Sequence, residues 1–136
     1  QMNVKFKEVF GQANPTLPLK EGGNIVCANA TRVKWDSVCP KDDDVEIYIL
    51  GNPPYLGSSM QDKEQKSDLA LVCDGFKNYK NLDYISCWFI KGSKYLEDST
   101  AKLGFVSTNS ICQGEQVGLL WPNILKNKLE NFKINN

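Results

Sequence analysis

Apolar positions along this chain come in two patterns: short, nearly unbroken runs, and stripes repeating every three to four residues. The runs predict strands. Ile25, Val26 and Cys27 in succession place a short buried strand over 24–28, between Gly22-Gly23 and a polar stretch. Val45, Ile47, Tyr48, Ile49 and Leu50 make a second strand over 45–50. Its near-continuous apolarity predicts cover on both faces of a parallel sheet, and Gly51-Asn52-Pro53-Pro54 ends it. Leu103, Phe105 and Val106 mark a third strand over 102–107.

The stripes predict helices. Leu69, Val72, Cys73 and Phe76 fall on one face of a helix that starts near Ser67-Asp68. Asp83 reads as the N-cap of a second, with Ile85, Phe89, Gly92 and Leu96 on one face and Tyr84, Trp88 and Tyr95 beside them. The plain reading is a crossover helix packed on the sheet. After the third strand, 114–120 and 122–132 look helical, with Pro122 either opening a new segment or kinking a longer one. Strands alternating with helices at these distances define an α/β fold, a mostly parallel sheet with flanking helices. Asp42-Asp43-Asp44 lacks the spaced ligands and closing Glu of a calcium loop and reads as a solvated turn.

Composition narrows the chemistry. The 136 residues are 41% hydrophobic and 24% charged, with no apolar run near the length of a membrane span. The expectation is one soluble, cytoplasmic domain. Sixteen basic and sixteen acidic residues balance, so no bulk basic field tracks a polyanion, and contact with nucleic acid has to be local or come from a part of the protein outside these residues. No histidine is present, which removes Ser-His and Cys-His nucleophiles and histidine metal ligands; no metal site is expected. The five cysteines, Cys27, Cys39, Cys73, Cys87 and Cys112, are odd in number and form no C-x-x-C pair, so they read as buried reduced thiols.

The informative stretch is Gly51-Asn52-Pro53-Pro54-Tyr55, directly after the second strand. Open parallel sheets build their sites just beyond the carboxyl ends of strands. Two prolines fix φ, remove two N–H donors and hold the local carbonyls rigidly, while Asn52 adds a side-chain acceptor. Such a turn can receive an amino group, and Tyr55 offers a flat face for a planar base, a contact worth about 1–3 kcal/mol. Ser107, Thr108 and Asn109, past the third strand, are further candidates to line the site.

Asn52-Pro53-Pro54-Tyr55 resembles the catalytic tetrapeptide of S-adenosylmethionine-dependent N6-adenine DNA methyltransferases, and the likeness extends over most of the chain. Residues 24–35 resemble the strand and turn that hold the cofactor adenine. Residues 83–89 and 102–111 resemble the helix and strand that follow the catalytic motif. With Gln113-Gly114-Glu115-Gln116-Val117, the whole looks closest to the large single-chain type IIG restriction-modification enzymes. The resemblance implies a partial Rossmann-like class I methyltransferase fold and methyl transfer from S-adenosyl-L-methionine to a flipped adenine of double-stranded DNA. It assigns Asn52 Oδ1 and the Pro53 carbonyl to the two N–H groups of the target nitrogen, rigidity to Pro54, and stacking to Tyr55. Asn29 stands where many relatives have an aspartate that binds the cofactor's adenine amino group, with Ala30 as its apolar neighbour. A protein-glutamine or RNA methyltransferase using the same tetrapeptide, or a non-catalytic interaction fragment, are the alternatives.

The glycine-rich cofactor loop, the acidic residue that usually follows it and a target-recognition domain are not found; Gly22-Gly23 is not that loop. Residues 1–136 therefore read as the central portion of one methyltransferase catalytic domain, inactive when isolated. Its first strand would lack its partner and its second would pair with the third but lack its other neighbour, which predicts partial disorder, strand rearrangement or self-association through unpaired strand edges.

Overall fold

The computed structural model describes residues 25–129, with helices and strands in alternation. A single helical turn, α1 (Trp35–Val38), precedes strand β1 (Tyr48–Gly51). Helix α2 (Lys63–Val72) and a 3₁₀ turn (Tyr79–Asn81) lead to helix α3 (Ser86–Tyr95). Strand β2 (Lys102–Phe105), a second 3₁₀ turn (Asn109–Cys112) and helix α4 (Gly114–Leu129) complete the order. β1 and β2 pair in parallel, Ile49 against Leu103 and Gly51 against Phe105, joined by the crossover through α2 and α3.

The pleat decides what the sheet covers. Ile49, Leu103 and Phe105 are half-buried and face α3, where the Phe89 ring meets Phe105 edge-on at 5.5 Å. Gly92 lets the helix approach closely at this crossing, because a Cβ there would force the Leu103 side chain to shift. Tyr48 and Leu50, on the opposite face, are 54% and 78% exposed, so the expectation of a strand covered on both faces fails among the described residues. The core lies between the helices: Leu69, Val72 and Cys73 of the α2 stripe meet Leu82, Ile85, Cys87 and Ile90, with Ile111 and Leu120 closing the end.

Several boundaries move, each for a local reason. No strand forms at 25–28: Ile25 is 92% exposed, and no neighbouring strand among the described residues takes up its backbone groups. The second strand begins at Tyr48 rather than Val45, because Asp42 Oδ1 accepts from Asp44 N and the Asp42 carbonyl from Val45 N, which extends the turn. The third strand ends at Phe105, two residues early. Helix α2 starts four residues before Ser67, where Asp62 and Gln65 form a reciprocal capping box. It stops before Phe76, which still packs on the core.

Asp83 lies three residues ahead of α3; its carboxylate accepts from Ile85 N at 3.3 Å as an Asx turn, not as the N-cap. Pro122 sits within one continuous helix α4, resolving the choice between a new segment and a longer one. Two cysteines, Cys73 and Cys87, are buried, but Cys27, Cys39 and Cys112 are exposed; all five are free thiols. Gly22-Gly23 and residues beyond 129 lie outside the described residues. No helix among those described is long and apolar enough to cross a membrane, and no cluster of three candidate metal ligands occurs among them.

Candidate active site

The turn after β1 emerges at the carboxyl end of the two-stranded sheet. Val106 N donates to the Gly51 carbonyl at 2.9 Å, extending the pairing to the last residue before the turn. Pro53 is then buried, while Asn52, Pro54 and Tyr55 are exposed. Among the described residues the Asn52 side chain makes no hydrogen bond, and no donor reaches the Pro53 carbonyl. Both oxygens belong to residues that line a cleft of about 360 Å3, whose other walls include Trp35, Trp88 and Phe105. Tyr55, 49% exposed, stands outside that lining.

Beyond Tyr55 the chain is held tightly. Leu56 N donates to Asp83 Oδ1 at 2.8 Å, and the Leu56 carbonyl accepts from Tyr84 N at 2.9 Å and from Gln61 Nε2 at 3.0 Å. Gln61 is buried and also donates to the Leu82 carbonyl at 2.9 Å. Asp83 Oδ2 accepts from Ser110 Oγ at 3.4 Å, and Ser110 shares a 2.6 Å hydroxyl contact with Thr108. Gln116 of α4 closes the frame by accepting from Asp83 N and donating to the Asn81 carbonyl. Of the three candidates after β2, Ser107 and Thr108 spend their hydroxyls in this local network, and Asn109 is exposed at the start of the 3₁₀ turn.

A second polar cluster organises the segment of Asn29 and Ala30. Asn29 Oδ1 accepts from both Thr31 N (2.9 Å) and Thr31 Oγ1 (2.7 Å), and its Nδ2 donates to Asp68 Oδ2 at 3.0 Å. Asp68, almost fully buried in α2, also accepts from Tyr84 OH at 2.8 Å and Arg32 Nε at 2.6 Å. Burial pushes the Asp68 carboxyl upward, but the bonds from Asn29, Tyr84 and Arg32 overcome it and hold the group below its ordinary value. Burial, then the bond to Asp68, pushes the Tyr84 phenol far up, keeping it a donor. Asn29 thus has both lone pairs of its amide oxygen engaged and one amide N–H left over.

Ala30 lines a second, apolar cleft of about 280 Å3 with Val26, Ala28, Val33 and Tyr95. Its carbonyl accepts from Trp35 Nε1 at 2.9 Å. Trp35 and Ile49 line both clefts, so the cleft of Ala30 and the cleft of the 52–54 turn are neighbours. Sequence reasoning missed Asp68, Gln61 and Arg32. Asp68 had a legible sign, an acid next to the apolar stripe of its helix; Gln61 had none.

The β1–β2 pair thus ends in an Asn-Pro-Pro-Tyr turn beside an aromatic cleft. Residues 1–135 match the family described as MmeI, DNA-methyltransferase domain, and the chain belongs to that family. It is 54% identical over 127 residues to DNA methyltransferase A of Bacillus subtilis (strain 168), a match covering 93% of this chain and 14% of that protein. The solved structure of the type IIL restriction-modification enzyme MmeI in complex with DNA superposes with a TM-score of 0.73 at 40% identity, covering 92% of this chain and 17% of that one. The chain therefore spans about one-seventh of the length of that curated relative.

Proposed function

We propose that this chain carries the catalytic turn of a DNA methyltransferase of a restriction-modification system, transferring a methyl group from S-adenosyl-L-methionine to the N6 amino group of an adenine flipped from double-stranded DNA. The observation that carries the reading is the pair of unengaged acceptors, Asn52 Oδ1 and the Pro53 carbonyl, on a rigid turn at the carboxyl end of β1. Membership of the family and the likeness to an enzyme solved with DNA support it. We further read residues 1–136 as the central portion of one Rossmann-like class I catalytic domain, with the remaining strands supplied by the rest of the polypeptide.

An exocyclic adenine nitrogen is a poor nucleophile because its lone pair is delocalised into the ring. Asn52 and Pro53 each accept one of its N–H bonds, which turns the nitrogen toward tetrahedral geometry and stabilises the positive charge that grows as the N–C bond forms. The two prolines hold these acceptors without reorganisation, and Tyr55 stacks on the extruded base. When bound, the cofactor supplies an electrophilic methyl whose bond to sulfur breaks as the bond to nitrogen forms; the surplus proton leaves to solvent. On the cofactor side, the spare Asn29 amide N–H suits a ring nitrogen of an adenine better than its amino group, and Ala30 with its apolar cleft suits the ring faces.

The test is Asn52→Ala in the full-length enzyme, with methylated nucleosides identified by mass spectrometry. The expected result is N6-methyladenine from the wild type and a loss of about a hundredfold or more in the variant, the scale of deleting one preorganised charge-stabilising group. Methyl groups found on protein or RNA, or an undiminished variant, would overturn the reading. Tyr55→Phe should keep DNA methylation near wild type, whereas Tyr55→Ala should weaken it by about 10-fold or more.

A further inference from the structure

We infer that Asp83, with Gln61 beside it, is the positioning residue of the catalytic turn, acting through Leu56; the inference rests on the reading above. The geometry is unusually complete for one residue. Pro53 and Pro54 donate no backbone hydrogen bond, and Leu56 is the first residue after Tyr55, so the Leu56 peptide groups are where the turn is fastened. The amide is held by Asp83 Oδ1 at 2.8 Å, and the carbonyl is held twice, by Tyr84 N and Gln61 Nε2. Gln61 in turn bridges to the Leu82 carbonyl, so residues 56 and 82–84 form one block.

The other Asp83 oxygen reaches Ser110, two residues after Thr108 in the segment that follows β2. One carboxylate thus joins the loops leaving the carboxyl ends of both strands, and neither Asp83 nor Gln61 lines the cleft beside the turn. Both are more than nine-tenths buried, so the bonds compete little with water. Release of Leu56 frees the Tyr55 platform and displaces the two acceptors upstream. A misplacement of about 1 Å at reacting groups costs on the order of a hundredfold in rate.

The experiment compares Asp83→Ala, Asp83→Asn and Gln61→Met in the full-length enzyme. Asn keeps an oxygen for Leu56 N and turns its amide toward Ser110, which can accept; Met keeps the length of Gln61 but removes both donors. Single-turnover methyl transfer is measured per DNA-binding-competent molecule, alongside KM for the cofactor. We expect Asp83→Ala to slow transfer by about 30-fold or more, Gln61→Met by about 10-fold, and Asp83→Asn to recover to within about 3-fold, with KM nearly unchanged throughout. If Asp83→Ala does not fold, Gln61→Met and Asp83→Asn decide. Wild-type rates in Asp83→Ala or Gln61→Met, or an Asp83→Asn enzyme as slow as Asp83→Ala, would overturn the inference.

Exchange of the Leu56 amide hydrogen reads the clamp without chemistry. It should quicken at least about tenfold in Asp83→Ala and return toward wild type in Asp83→Asn. Unchanged protection refutes the clamp. A wild-type enzyme that methylates no DNA, yet shows the expected exchange pattern, refutes the proposed reaction and leaves the clamp standing.

Discussion

Replacing Asp68 with Asn keeps the shape of the side chain and removes its charge, and the structure sets what that should cost. Asp68 accepts three hydrogen bonds: from Arg32 on one oxygen, and from Asn29 and Tyr84 on the other. The amide can still accept the latter pair through its oxygen, but its NH2 then faces the Arg32 Nε donor. Bonds to a charged group contribute about 1.5–3 kcal/mol each and neutral ones about 1 kcal/mol, so the two retained bonds weaken by about 1 kcal/mol apiece. The Arg32 bond is lost as well, but its side chain is 47% exposed and resolvates, so that loss adds little. The sum is about 2 kcal/mol, from the two retained bonds.

Because the cluster anchors residues 29–33, this appears as local opening. The Thr31, Arg32 and Val33 amides, which all bond to Asn29, should exchange about 30-fold faster. Glu64, the exposed second partner of Arg32, supplies the control: Glu64→Gln should change exchange by less than about threefold. Unaltered exchange in Asp68→Asn, or equal effects in the two variants, would refute the argument. The same cluster sets an acid limit. The folded carboxyl is held below its ordinary value of 3.8, so its contribution is present above that value and lost as pH falls below it.

Thiol titration of the native chain should show three fast-reacting groups, Cys27, Cys39 and Cys112, and two that react only in denaturant. Cys73 and Cys87 are both fully buried, and burial pushes the Cys73 thiol up to about 12 and Cys87 higher still; five fast thiols would refute this. These thiols, with Tyr84 and with Tyr95 raised to about 12, titrate higher when folded than the ordinary 9.0 for Cys and 10.0 for Tyr. Stability should therefore be undiminished by them below pH 9 and fall as pH rises toward 12, which urea midpoints across that range would check. Sedimentation of the chain alone should give a mass above one chain at micromolar concentration, through the β edges that no strand among the described residues covers; a compact monomer would contradict it.

The helices, the crossover and the core were legible in the sequence because burial imposes its period on the residues themselves: Leu69, Val72 and Cys73 announce one face, Ile85 and Gly92 another. The Asn52–Tyr55 turn was legible as a turn because two prolines directly after an apolar run end the strand and fix the backbone. What could not be read is what depends on long-range pairing. Ile25-Val26-Cys27 has the composition of a strand, but a strand exists only where a neighbour supplies hydrogen bonds, and none among the described residues does. Asp83 was legible as a residue near a helix start. That its carboxylate reaches back 27 positions to Leu56 follows from the fold alone. Asn29 was legible as a polar residue following a short apolar run, but the claim of Thr31 on both its lone pairs depends on the local turn.

Trp35 forms part of the wall of both clefts, with its indole nitrogen tied to the Ala30 carbonyl and its ring edge-on to Phe105 at 6.4 Å. A ligand in either cleft that shifts this shared wall would link the two cavities thermodynamically. Whatever occupies one and shifts the indole changes the free energy of filling the other, and reciprocity requires the same factor in both directions. Order of filling would then alter the rates but not the product of the two affinities.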